Sequence, residues 1–102
     1  MFATAVNCMD GRTQLPVNRW VQAHFAVQHV DTVTEAGPIR ALADGDIECI
    51  ESIYRRVAIS VEKHGSKSIV IVAHHDCTGN PIDKTGQTEQ LLIAGERTAQ
   101  RF

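Results

Sequence analysis

The chain has 102 residues, of which 43% are hydrophobic and 22% are charged, and its formal net charge is −2. This length suits one domain with one core, so we interpret residues 1–102 as a single domain, and the hydrophobic content excludes a disordered chain. The sequence has neither the clustered basic excess of nucleic-acid-binding proteins nor the roughly 20 consecutive apolar residues of a membrane span, so we expect neither partner.

The first predicted elements are a strand and a helix. Residues Phe2–Val6 are apolar apart from Thr4, which predicts a buried strand. Thr13 or Gln14 is suited to cap the helix that follows, because Pro16 would then lie in the first turn. Three apolar side chains recur at helical spacing and predict the buried face of this helix: Val17, Trp20 and Val21.

The middle of the chain predicts a second strand and a long helix. The alternating segment His29–Thr34 predicts the strand, which ends at the breaker Gly37-Pro38. Asp46 and Gly65 are suited to begin and end an amphipathic helix of about 18 residues. Its apolar residues recur every three or four positions: Ile47, Ile50, Ile53, Tyr54, Val57, Ala58 and Val61.

The last third of the chain predicts one more strand and one more helix. The apolar run Ser68–Ala73 is typical of a strand that is covered on both faces of a parallel sheet. A helix is predicted over Thr88–Arg101, with Leu91, Leu92 and Ala99 facing inward. The alternation of strands and helices predicts an α/β fold: a small, open, mainly parallel sheet of three to four strands flanked by helices.

Polar clusters follow the first and third predicted strands, at the edge where open α/β sheets bind ligands. Cys8 follows the first strand, and His74 and Cys77 follow the third. If these strands are neighbours, the two thiolates and the imidazole form a three-ligand set that suits Zn²⁺ and leaves a fourth position open.

The fourth position could take Asp10 or water. Arg12 lies two residues after Asp10, and an arginine–carboxylate pair forms good bidentate hydrogen bonds. If Asp10 pairs with Arg12, water is free to bind the metal and its pKa falls to roughly 7. If Asp10 binds the metal instead, the site is closed.

The two motifs together resemble those of the β-class carbonic anhydrases. The sequence has Cys-x-Asp-x-Arg after the first strand and His-x-x-Cys after a Val/Ile strand, and the resemblance runs from Phe2 to about Gly79. It includes Ala36-Gly37 after the second strand and the helix that ends at Gly65. Gly11 stands where the family often has Ser, and Thr78 stands where it usually has Gly. On this resemblance, we expect the 102 residues to correspond to the core of the family, without its N-terminal arm and C-terminal strands.

The resemblance implies a function and its residues. Cys8, His74 and Cys77 would bind Zn²⁺, and Asp10 with Arg12 would control access to the fourth position. The implied activity is that of a zinc-dependent lyase or hydrolase, in which zinc-bound hydroxide attacks carbon dioxide, with bicarbonate as product. Relatives of the fold act on carbon disulfide or carbonyl sulfide, so a related small electrophile is an alternative substrate. The resemblance also implies a homodimer or a higher homo-oligomer.

Two other classes of function fit the same residues. A non-catalytic zinc module, used for interaction or sensing, would keep the metal and close its fourth position with Asp10. Metal-free thiol chemistry would use Cys8 and Cys77 as a redox pair, which leaves His74 unexplained. The odd count of three cysteines and the absence of a basic start before an apolar run favour a reducing, cytoplasmic location.

Overall fold

The computed structural model describes all 102 residues, which form three strands and four helices. In chain order these are β1 (Phe2–Cys8), α1 (Gly11–Phe25), β2 (His29–Glu35), α2 (Pro38–Asp44), α3 (Ile47–His64), β3 (Ile69–Ile71) and α4 (Lys84–Arg101). None of the helices has the length and apolar character required to cross a membrane.

The strands form one parallel sheet in the order β2-β1-β3. Val6 lies opposite Val33 of β2 on one side and opposite Ile71 of β3 on the other. The predicted α/β fold with a small, open parallel sheet is therefore confirmed. The pairing of β1 with β3 also meets the condition under which Cys8, His74 and Cys77 converge.

The two faces of the sheet are covered by different helices because successive side chains of a strand point to opposite sides. On one face, α1 packs over a small cluster that contains Ala3, Val21 and Val27. The other face holds the larger cluster, which consists of Val6, Val33, Leu42, Ile53, Tyr54, Val57 and Ala94 from the sheet and from α2, α3 and α4.

Helix α1 begins earlier than predicted. It starts at Gly11, and its N-cap is Asp10, whose carboxylate accepts from the Arg12 N–H, so the prediction of Thr13 or Gln14 as the cap is wrong. Pro16 consequently lies beyond the first turn. Trp20, predicted to be buried, is 53% exposed, and its ring stacks on that of His24 at 4.5 Å between centroids.

Helix α2 is an element that we did not predict, because Gly37-Pro38 was interpreted only as a breaker. Gly37 adopts φ 64° as the N-cap and Pro38 begins the helix, where a missing N–H costs nothing. The Arg97 guanidinium of α4 donates to the Leu42 carbonyl at 3.1 Å and satisfies the end of this short helix.

Helix α4 begins at Lys84 rather than Thr88, with Asp83 as its N-cap. The prediction of its inner face is partly wrong, since Leu92 is 68% exposed and Ala99 is also exposed. The smaller side chains of Ala94 and Thr98 are buried instead, and the Thr98 hydroxyl lies 3.0 Å from the hydroxyl of the buried Tyr54. Small inward residues let α4 pack closely against its neighbours.

A network of hydroxyl groups lies towards the N-terminal end of β1, four residues before Cys8. The Thr4 hydroxyl lies 2.7 Å from the hydroxyls of both Ser60 and Ser66. Ser60 donates to the Asp31 carboxylate at 2.7 Å, and the same oxygen lies 2.6 Å from Nδ1 of His64. Burial alone would raise the pKa of Asp31, but the bonds from Ser60 and His64 outweigh it and lower that pKa.

This network predicts an acid-sensitive contribution to stability. A carboxyl with a lowered pKa in the folded state stabilises the fold above the unfolded value of about 4, and this stabilisation is lost as the pH falls through the folded value. We expect Asp31→Asn to lower the free energy of unfolding at pH 7 by about 1–2 kcal/mol, measured by urea denaturation, because Asp31 is partly exposed and its bonds are partly screened.

The difference between variant and wild type should shrink from its value at pH 7 towards zero at an acidic pH that lies below the lowered folded-state pKa of Asp31. Asp44→Asn, which changes an exposed carboxylate of α2, serves as the control and should be nearly neutral throughout. If Asp31→Asn lowered the free energy of unfolding by the same amount at both pH values, the stabilising role of the Asp31 carboxylate would be contradicted.

Candidate metal centre

The parallel pairing of β1 with β3 brings two chemically active segments to one edge of the sheet. Cys8 is the last residue of β1, and His74 and Cys77 lie in the turn that follows β3. One donor atom from each of the three side chains lies within 4.8 Å of the other two. Both cysteines are buried and unbridged, so their sulfurs are free to act as ligands.

The separation of the two sulfurs suits a tetrahedral ion. The Sγ atoms of Cys8 and Cys77 are 3.8 Å apart. Two sulfurs bound tetrahedrally to zinc at about 2.3 Å would lie about 3.8 Å from each other. A soft, sulfur-containing donor set also favours zinc over magnesium or calcium, which prefer oxygen.

The imidazole of His74 is oriented for metal binding. Its Nδ1 donates to the His75 carbonyl at 2.7 Å, which leaves Nε2 with a free lone pair. Nε2 is buried and has no hydrogen-bond partner. Buried polar atoms are rarely left unpaired, and an ion at this position would satisfy the nitrogen.

The two thiols have different acidities. Burial would raise the pKa of Cys8, but backbone N–H groups of Gly37 and Asp10, together with His74, lower it to about 7. The pKa of Cys77 is raised, first by burial and then by the adjacent Cys8. Burial would lower the pKa of His74, and its contact with Cys8 raises it instead. Cys8 is thus the thiol that becomes a thiolate most readily.

The loop between β2 and α2 packs directly against the turn that carries Cys77. A Cβ atom added to Gly79 would lie 2.6 Å from the Ala36 carbonyl carbon. A Cβ atom added to Gly37 would lie 2.9 Å from the carbonyl of Gly79. Only glycine allows this approach of one backbone to the other, which we call the glycine contact.

Asp10 and Arg12 form an ion pair beside this cluster. Arg12 Nη2 donates to Asp10 Oδ2 at 2.6 Å, and Nε donates to the same carboxylate at 3.0 Å. Arg12 holds the pKa of Asp10 well below its usual range through these bonds, and the pKa of Arg12 is raised in turn. Asp10 is therefore ionised, and its carboxylate is hydrogen-bonded to Arg12.

Arg12 also contacts the second ligand-bearing turn. Its Nη2 donates to the Asp76 carbonyl at 3.2 Å, and its Nη1 lies 3.4 Å from the Asp76 carboxylate. Asp76 adopts φ 56°, a conformation that Asp tolerates better than most residues. One guanidinium therefore ties the turn after β1 to the turn after β3.

Sequence reasoning assigned no role in the site to Gly37, Gly79 or the Asp76 carbonyl. In the sequence, Ala36-Gly37 enters only as part of a resemblance. The available signal was the glycine on each side of the candidate site, which indicates a close backbone approach. A backbone N–H or carbonyl leaves no mark in the sequence, so its contact partners were not predictable.

A groove of about 950 Å³ runs along the turn that carries His74 and Cys77, on the side of α4. Polar side chains on its wall include His75, Thr78, Lys84 and Thr88. This volume lies within the range of small-molecule sites. Two of the three candidate ligands, His74 and Cys77, therefore border a space that a small substrate can enter.

The comparison with known families agrees with this geometry. A family model described as "Putative carbonic anhydrase" matches residues 1–101. No curated protein and no solved structure gives a significant match to the chain. Because the family match extends over nearly the whole sequence, the chain belongs to this carbonic anhydrase family.

Proposed function

We propose that residues 1–102 act as a zinc-binding domain that catalyses the hydration of carbon dioxide to bicarbonate. The observation that carries the proposal is the cluster of Cys8, His74 and Cys77, in which a buried nitrogen lacks a partner, next to an Asp10 that is held by Arg12. Membership in the carbonic anhydrase family supports the same reaction.

Each side chain of the cluster has a distinct task in this proposal. Cys8 and Cys77 provide two sulfurs and His74 provides Nε2, whose direction is fixed by the bond from Nδ1 to the His75 carbonyl. Zinc held there supplies a Lewis acid that turns water into a nucleophile near neutral pH.

Arg12 keeps the site open in this proposal. A carboxylate is itself a good zinc ligand, so an unrestrained Asp10 would compete with water for the fourth position. The bonds from Nε and Nη2 of Arg12 occupy both carboxylate oxygens. Asp10 can also accept a hydrogen bond from water that approaches the metal, since it stays ionised beside Arg12.

The assembly and the substrate are part of the same proposal. The groove beside His74 and Cys77 admits carbon dioxide and lets bicarbonate leave. The family resemblance favours a homodimer or a higher homo-oligomer, and light scattering of the purified chain measures this directly.

Metal content is the first test. We expect the natural chain to bind one zinc ion, and we expect Cys77→Ser and His74→Ala to lose most of it, as measured by elemental analysis after dialysis. The matched control is Cys49→Ser, because Cys49 is a free thiol of α3 outside the cluster. Full zinc occupancy in His74→Ala would contradict the assignment of the ligands.

Removal of the arginine is the second test. We expect Arg12→Ala to retain zinc and to lose at least about tenfold in the rate of carbon dioxide hydration, measured by stopped flow, because Asp10 is released to bind the metal. Arg19→Ala changes an exposed arginine of α1 and serves as the control.

The outcomes separate the candidate functions. An Arg12→Ala variant with the full rate would contradict the role of Arg12. A natural chain that is loaded with zinc and hydrates carbon dioxide no faster than buffer would contradict catalysis and favour a non-catalytic zinc module.

A further inference from the structure

Backbone N–H groups surround both sulfurs of the cluster. Those of Asp10 and Gly37 lie close to the Cys8 sulfur, and those of Gly79 and Asn80 lie close to the Cys77 sulfur. Three of the four donate to no backbone oxygen, namely Asp10, Gly37 and Gly79. No backbone oxygen therefore competes with the sulfurs for these three donors, whereas the Asn80 N–H donates to the Cys77 carbonyl at 3.2 Å.

Three of these donors come from the turns that carry the cysteines, but Gly37 comes from the loop between β2 and α2. Its position depends on the glycine contact, because Gly37 packs against the backbone of Gly79 with no room for a Cβ atom on either residue. The loop that reaches the Cys8 sulfur thus rests on the turn that surrounds the Cys77 sulfur.

These N–H donors also affect the charge on the sulfurs, and through it the properties of a bound metal. Two thiolates cancel the charge of a divalent ion, so a site with two sulfurs and a neutral imidazole attracts hydroxide less than a site with neutral ligands alone. Hydrogen bonds to a ligating sulfur withdraw negative charge from it and tune the metal.

We propose that the glycine contact positions Gly37 and Gly79 as second partners of the two sulfurs, so that their N–H groups restore the Lewis acidity of the bound metal. Gly37 and Gly79 are positioning residues, since they act through Cys8 and Cys77. This inference rests on the proposed metal site and assigns a function to a loop outside both sequence motifs.

The direct test uses the natural chain loaded with ¹¹³Cd²⁺, whose nucleus couples through a ligating sulfur to a hydrogen-bonded amide proton. We expect proton–cadmium correlations to the amides of Gly37 and Gly79. A chain that binds cadmium through both cysteines but shows no such correlation would overturn the inference and leave the metal site intact. A chain that binds no cadmium would overturn the metal site and, with it, the inference.

The second test uses Gly79→Ala, whose added methyl group must push the Ala36 backbone away. In the Co²⁺-loaded protein we expect the sulfur-to-cobalt absorption band to move to lower energy, because a sulfur that loses its donors is easier to oxidise. Metal affinity, measured by competition with a chelator, should fall by about 10–100-fold.

The matched control is Gly95→Ala in α4, where an added Cβ atom meets nothing within 4 Å. It should keep the absorption band and the affinity of the natural chain. A folded Gly79→Ala protein with an unchanged band would overturn the tuning role. If Gly79→Ala does not fold, the cadmium correlations of the natural chain decide the question without it.

Discussion

The pairing of β1 with β3 is the constraint on which the rest of the site depends. Cys8 and His74 are far apart in the sequence, and they meet because Val6 lies opposite Ile71 in a parallel ladder. The alternation of side chains fixes this register, since Ile69 and Ile71 pack on the larger cluster while Val70 packs on the smaller one. A slip of one residue would place each of them on the opposite face and would move the turn with His74 away from Cys8.

Once the two turns meet, most of the groups that define the site have a partner of their own. Arg12 holds Asp10, the His75 carbonyl fixes the His74 ring, and backbone N–H groups face the sulfurs. A site whose side chains are already oriented spends little binding free energy on reorganisation when its ligand arrives. The unpaired Nε2 of His74 is the exception, and it is the atom at which an ion would complete the arrangement.

The sequence predicted the parts of this structure that depend on apolar periodicity and on strong capping residues. Helix α3 begins after Asp46 and ends before Gly65, as its spacing indicated. The strands lie where apolar runs or alternation predicted them, although β3 is shorter than its apolar run. The failures have a common cause, which is that neighbours in space outweighed local preference. Helix α2 is too short to show a period and is supported by Arg97 from another helix, and the inner face of α4 was chosen by close packing rather than by hydrophobicity. In the site, the side chains were predictable as candidates, but the donors from the Gly37 loop were not, because they belong to the backbone.

The glycine contact has a consequence for how this family can vary. At most contacts between two side chains, a substitution by a larger residue at one position can be compensated by a smaller residue at the other. Such pairs are visible as co-varying positions in related sequences. At Gly79 the nearest atoms belong to the carbonyl group of residue 36, which every amino acid possesses. No substitution at that neighbour can make space. Positions 37 and 79 are thus expected to stay fixed together rather than to change together. A search for co-varying positions would therefore overlook the loop that packs against the candidate metal centre.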